Sequence, residues 1–183
     1  VTRLTSAGDA HLGVIEKAVK TKADLLIVHH GLFWEPPIPM TKATFAKFRL
    51  AMENNLAVYS SHLPLDLHPR LGNNAVLAKA LKLRSPKPIL MAKGANAGLC
   101  FAVNQTLDDL AEKVRQVVGA DDLTMMPHGP TRVRRLGICT GGAGGMLSQV
   151  AKEGFDTFLP GEGPQHTYGK ARELGISVIC AGH

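Results

Sequence analysis

Two adjacent histidines, His29 and His30, close the apolar run 25–28 and are followed at once by Gly31. The run is predicted to form a short buried strand ended by the glycine, which delivers both imidazoles to the rim where strands meet loops in α/β proteins. Two more strand ends carry related groups: Ser61-His62-Leu63-Pro64-Leu65-Asp66 brings an imidazole and a carboxylate, and His183 follows the apolar run 176–182. Imidazole nitrogen and carboxylate oxygen are the donors that Zn, Fe, Mn or Ni accept, so a metal centre is the chemistry these residues predict. A lone strand-end histidine is more often a hydrogen-bonded structural residue, and it is the grouping that carries the reading. Neighbouring strand side chains point to opposite faces, so His29 and His30 serve one ion only where the backbone turns, a freedom expected of Gly31. A pair of ions roughly 3.5 to 4 Å apart would relax that requirement.

The elements that must position these groups follow from apolar spacing. Helical periodicity over 10–22 precedes the strand 25–30, and the prolines at 36, 37 and 39 predict a loop beside the histidine pair. Thr41 is placed to cap a helix reaching about residue 54, a strand 56–60 leads to His62, and Asn73 or Asn74 opens a helix to residue 81. The stretch 83–98, rich in proline, glycine and lysine, predicts a boundary: a first half over 1–85, a linker over 86–98 and a second half over 99–183, the halves being expected to pack as one compact unit. In the second half, strands are expected at 99–103, 133–139, 155–159 and 176–181. Helices are expected at 107–118, 146–153 and 164–174, with Thr106 as a cap and Gly119 as a stop. This is an α/β chain with mixed sheets. The glycine-rich turn 140–145 is either an anion-binding strand-to-helix loop or a device for close helix packing; it has neither Walker nor dinucleotide glycine order.

Bulk properties narrow the class. The 183 residues hold no apolar stretch long enough to span a membrane and show no leader at Val1, and Cys100, Cys139 and Cys180 are scattered in apolar runs. Reduced, buried thiols of this kind predict a cytoplasmic location. The net charge of +6 suits an anionic small molecule. With 5% aromatic residues and one basic cluster, Arg132-Val133-Arg134-Arg135, nucleic-acid binding is disfavoured.

In order and content, several blocks resemble the NIF-three-like family, whose bacterial members are commonly labelled GTP cyclohydrolase I type 2 homologues. They are Val28-His29-His30-Gly31-Leu32-Phe33-Trp34, His62-Leu63-Pro64-Leu65-Asp66 with Gly72-Asn73-Asn74, Cys139-Thr140-Gly141-Gly142, Gly161-Glu162 and Ala181-Gly182-His183. The resemblance implies a two-lobed α/β fold with mixed sheets flanked by helices, a homohexameric ring and two divalent ions per subunit. It implies that His30 and Asp66 hold one ion and His29 and His183 the other. His62 and Glu162 are then expected to line the cleft as catalytic acid-base or orienting groups. Three departures stand out: there is no Gly-Leu-Gln block before the first strand, no glutamate four residues after His183 to bridge the ions, and Pro160-Gly161-Glu162 replaces Thr-Gly-Glu. The first two predict a sequence clipped at both termini.

A metal centre with open positions makes hydrolysis the expected reaction, and the resemblance implies a nucleotide such as GTP as substrate, with water adding at C8 of the guanine and His62 moving protons. Two other functions fit the same residues: a non-enzymatic metal-binding interaction or regulatory module, and a metal-dependent phosphoesterase that uses the turn 140–145 for phosphate.

Overall fold

The computed structural model describes residues 1–34, 38–92 and 94–182, so that the predicted proline loop at 35–37 and His183 lie outside the described residues. Two units divide between Leu65 and Asp66. The first runs β1 (Leu4–Asp9), α1 (Leu12–Lys20), β2 (Leu25–His30), α2 (Lys42–Glu53) and β3 (Ala57–Ser60). Its sheet is parallel with β2 in the middle. Alternation along β2 sends Leu26 and Val28 into a core with Ile15 and Ala18 of α1 and Ala51 of α2. β1 escaped the periodicity because Leu-Thr-Ser-Ala-Gly-Asp offers almost no apolar alternation, and the strand is mostly exposed.

The single turn α3 (Leu63–Asp66) leads into the second unit. It continues with α4 (Asn73–Ala80), β4 (Lys87–Ala92), β5 (Ala95–Thr106), α5 (Leu107–Val118), β6 (Thr124–Met126) and β7 (Arg132–Cys139). A 3-10 turn (Ala143–Met146) then precedes α6 (Leu147–Lys152), β8 (Thr157–Pro160), α7 (Thr167–Leu174) and β9 (Ser177–Cys180). The six strands lie in the order β4-β5-β7-β8-β9-β6 and are mixed, with β7, β8 and β9 parallel and the rest antiparallel. Leu136, Ile138, Leu159 and Ile179 project into a core with α4 and α5. Phe158, Val178 and Cys139 project into a second core that includes Leu147, Val150 and Ala171. The central strands are thus apolar on both faces, as continuous apolar runs require.

The linker expected over 86–98 is instead β4 and the start of β5, and the division of the chain falls at Leu65/Asp66. Pro88 is tolerated because β4 is an edge strand. Gly98 is there because a Cβ would lie 2.7 Å from the Ile138 carbonyl. Residues that usually mark loops here serve strand packing.

Most helices hand the chain to the next segment by one device. After α1, Lys22 N–H donates to Val19 O and Ala23 N–H to Ala18 O; after α2, Asn55 donates to Met52 O and Leu56 to Ala51 O; after α4, Lys82 donates to Lys79 O and Leu83 to Ala78 O. This is the Schellman pattern, with a left-handed residue followed by an apolar one that packs back on the helix. Glycine fills the left-handed place after α6 and α7 (Gly154, Gly175), but Lys22, Asn55 and Lys82 fill it after the others, which is why these ends lack the usual signal.

Candidate metal centre

β2 ends at His30, and the chain returning from β3 brings His62 to the same edge of the first unit. Ring centroids are 4.7 Å apart for His29 and His30, 4.8 Å for His29 and His62, and 5.0 Å for His30 and His62. Each half-buried imidazole offers a nitrogen, and the three nitrogens lie within 4.8 Å of one another. Three nitrogens bound tetrahedrally to one ion at about 2.1 Å lie about 3.4 Å apart, so closing all three on one ion takes ring movements on the order of 1 Å.

The second nitrogen of each member of the pair is already engaged. His29 Nδ1 lies 3.1 Å from the carbonyl oxygen of Ser61, and His30 Nδ1 lies 2.7 Å from Asp9 Oδ1. Both partners are acceptors, so Nδ1 carries the proton in each neutral ring and Nε2 presents its lone pair. A histidine held through Nδ1 by a carbonyl or carboxylate is the arrangement that orients metal ligands and raises their basicity. The donor set therefore fits a divalent ion of the Zn, Fe or Ni type. Asp9 had no signal in spacing; only the parallel register, which sets Asp9 opposite His30, reveals it.

Gly31 serves by its size. Its φ is not left-handed, contrary to the backbone freedom expected of it, but a Cβ there would collide with Oγ of Ser60 and lie 2.6 Å from its Cβ. Next to it, Trp34 stacks on His30 with ring centroids 4.5 Å apart and planes inclined by 29°.

His62, expected as an acid-base group, shares the cluster with the two histidines expected to be ligands. Asp66 and Glu162 belong to the second unit. Asp66 Oδ1 accepts from Asn73 Nδ2 at 3.1 Å. Glu162 is exposed and does not cap α7, whose first turn is preceded by His166. His183 lies outside the described residues.

The glycine-rich turn serves packing. Gly144 N–H donates to Glu162 O, Glu162 N–H donates to Gly141 O, and Thr140 N–H donates to Asn74 Oδ1. A Cβ on Gly161 would lie 2.7 Å from Gly141 N and Gly182 O, so these loops approach at backbone distance. The amides of Thr140 and Gly144 are thereby engaged within the fold. Cys139 is inert for a related reason: burial, and secondarily the charge of Asp66, push its thiol up to about 11.

Known proteins are similar to this chain in sequence and fold. The chain is 35% identical over 186 residues to a protein of Deinococcus radiodurans named GTP cyclohydrolase 1 type 2 homolog, covering 100% of this chain and 70% of that protein. It is 35% identical over 187 residues to the protein of that name from Haemophilus influenzae, covering 100% of this chain and 74% of the other. Among solved structures, protein ybgI, described as of unknown function, matches with a TM-score of 0.85 and 30% identity over 100% of this chain and 73% of that one. Reduced HcgD from Methanocaldococcus jannaschii matches with a TM-score of 0.86 and 28% identity over 99% of this chain and 72% of its own. The sequence profile of the Duf34/NIF3 (NGG1p interacting factor 3) family matches residues 1–183, and the chain belongs to that family.

Proposed function

We propose that this chain is a metal-dependent hydrolase acting on a nucleotide such as GTP, with its ions seated at His29, His30 and His62. The observation that carries the reading is the convergence of the three imidazoles, two of them oriented through Nδ1. The name shared by the bacterial relatives supports the substrate class. A divalent ion at such a site, when bound, lowers the pKa of water and polarises the group under attack. His29 and His30 would hold it, and the Asp9 carboxylate and the Ser61 carbonyl would keep their rings aimed. His62 would complete the ligand set or move a proton to the leaving nitrogen. Asp66 and His183 are proposed as further ligands for a second ion, and Glu162 as an acid-base group, on the family pattern.

We further propose a cytoplasmic homohexamer. Phe33 and Met52, 81% and 73% exposed, are apolar side chains that assembly would cover. Among the described residues no helix is long and apolar enough to cross a membrane.

Elemental analysis of the purified protein, paired with a GTP turnover assay, tests the proposal. One or two divalent ions per chain, lost in His29→Ala/His30→Ala together with turnover, is the expected result. Stoichiometric metal in the double variant overturns the site, and full metal without hydrolysis of any nucleotide assigns a metal-binding module instead.

A further inference from the structure

The second unit contains a cleft of about 490 Å³ between the end of α4, the turn after it and β5, a volume suited to a small organic molecule. Ala78, Leu99 and Phe101 give it an apolar floor, while Lys79, Lys82 and Arg84 stand around it. None of these three cations forms a hydrogen bond or ion pair with its side chain among the described residues. His68 adds a donor to the wall: its Nδ1 accepts the N–H groups of Arg70 and Leu71 at 3.2 and 3.1 Å, which places the proton of the neutral ring on Nε2. Asp66 is the opposing charge on the wall, answered in part by Asn73 Nδ2.

Lysines at a helix C-terminus ordinarily complement its dipole in water. Here the turn after α4 also sets Arg84, and the segment before α4 sets the His68 donor, around an apolar hollow, a combination the dipole does not require. Cations beside an apolar floor match an anionic group carried on a flat apolar body. We infer that this cleft binds an organic anion with an aromatic ring system, the rings on Leu99 and Phe101 and the anionic group among Lys79, Lys82 and Arg84. The inference stands without the metal centre.

Calorimetric titration with naphthalene-1-sulfonate, in the presence of EDTA so that no ion contributes, tests it. The sulfonate should bind at one site per chain and roughly tenfold or more tighter than neutral 1-naphthol or inorganic sulfate, since each lacks half of the match. Lys82→Gly removes a cation where the left-handed backbone favours glycine, so the fold is preserved, and it should weaken binding by roughly tenfold. Arg84→Gln should do the same, and Asn96→Trp, an exposed β5 position on the cleft wall, should block binding with the thermal midpoint retained. Equal affinity for 1-naphthol, wild-type affinity in both charge variants, undiminished binding in Asn96→Trp, or no binding of the sulfonate at all would each overturn the assignment.

Discussion

Asp9 Oδ1 lies 2.7 Å from Nδ1 of His30, across the parallel pair β1–β2 in which the two residues are register partners. The contact turns a strand-end histidine into an oriented ligand, because a carboxylate on one ring nitrogen directs the lone pair of the other. Asp9→Ala should lower zinc affinity by about 10- to 100-fold, and Asp9→Asn, which keeps an acceptor but loses the charge, by less. Competition against a chromophoric chelator measures both, with circular dichroism showing that the fold persists. Unchanged affinity in Asp9→Ala would reduce the contact to a surface ion pair.

Gly31 is demanded by space, since any Cβ would meet Ser60. Gly31→Ala should destabilise the protein by about 1–3 kcal/mol and disturb the histidine cluster, which branches from the same two chain segments. A chemical denaturation curve reads the first effect and metal content the second. A variant as stable and as metal-rich as wild type would show that Ser60 yields freely.

Asn74, 5% exposed, donates from Nδ2 to Ala97 O at 2.8 Å and accepts at Oδ1 from Thr140 N at 2.8 Å and Oγ1 at 3.1 Å. It ties α4 to β5 and to the end of β7. Asn74→Ala should cost about 1–3 kcal/mol, because buried backbone groups lose their partners. Asn74→Asp should cost more, as a carboxylate would face the Ala97 carbonyl. Urea unfolding compares them, and equal stability of all three proteins would mean that water replaces the side chain.

Asp24 should make the stability of the first unit sensitive to acid. Its Oδ2 accepts from Thr2 Oγ1 and Thr2 N at 2.7 Å and from Arg3 N at 2.8 Å, and these bonds, the Thr2 side chain foremost, lower its pKa from 3.8 to about 2. A carboxyl held lower in the folded state than in the unfolded chain stabilises fully above the unfolded value and loses that contribution as pH falls through the folded one. The wild type should therefore lose stability between about pH 4 and pH 2, and Asp24→Asn should be less stable at pH 7 with a shallower acid slope. Carboxyl NMR titration should place the midpoint near 2, and a midpoint at the ordinary aspartate value would remove the effect.

Apolar periodicity is enough to place α1, β2, α2, α5 and β7; Thr106 Oγ1 accepts from Asp109 N at 3.1 Å and Gly119 is left-handed, as expected for α5, whereas Thr41 precedes α2 without the side-chain cap bond expected of it. The types His29, His30 and His62 were equally legible, since their donor chemistry does not depend on the fold. Spacing could not show β4, whose proline is acceptable only at a sheet edge, or the division at Leu65/Asp66. Nor could it show that the glycines at 141, 144 and 161 pack loops against each other. What the amino-acid order determined by itself was the alternation of elements and the inventory of metal-binding groups, which are local properties. Which nitrogen of each imidazole is tied, that Asp9 ties one of them, and that His62 joins the pair are pairings between distant segments, and only strand register and backbone return in three dimensions decide those.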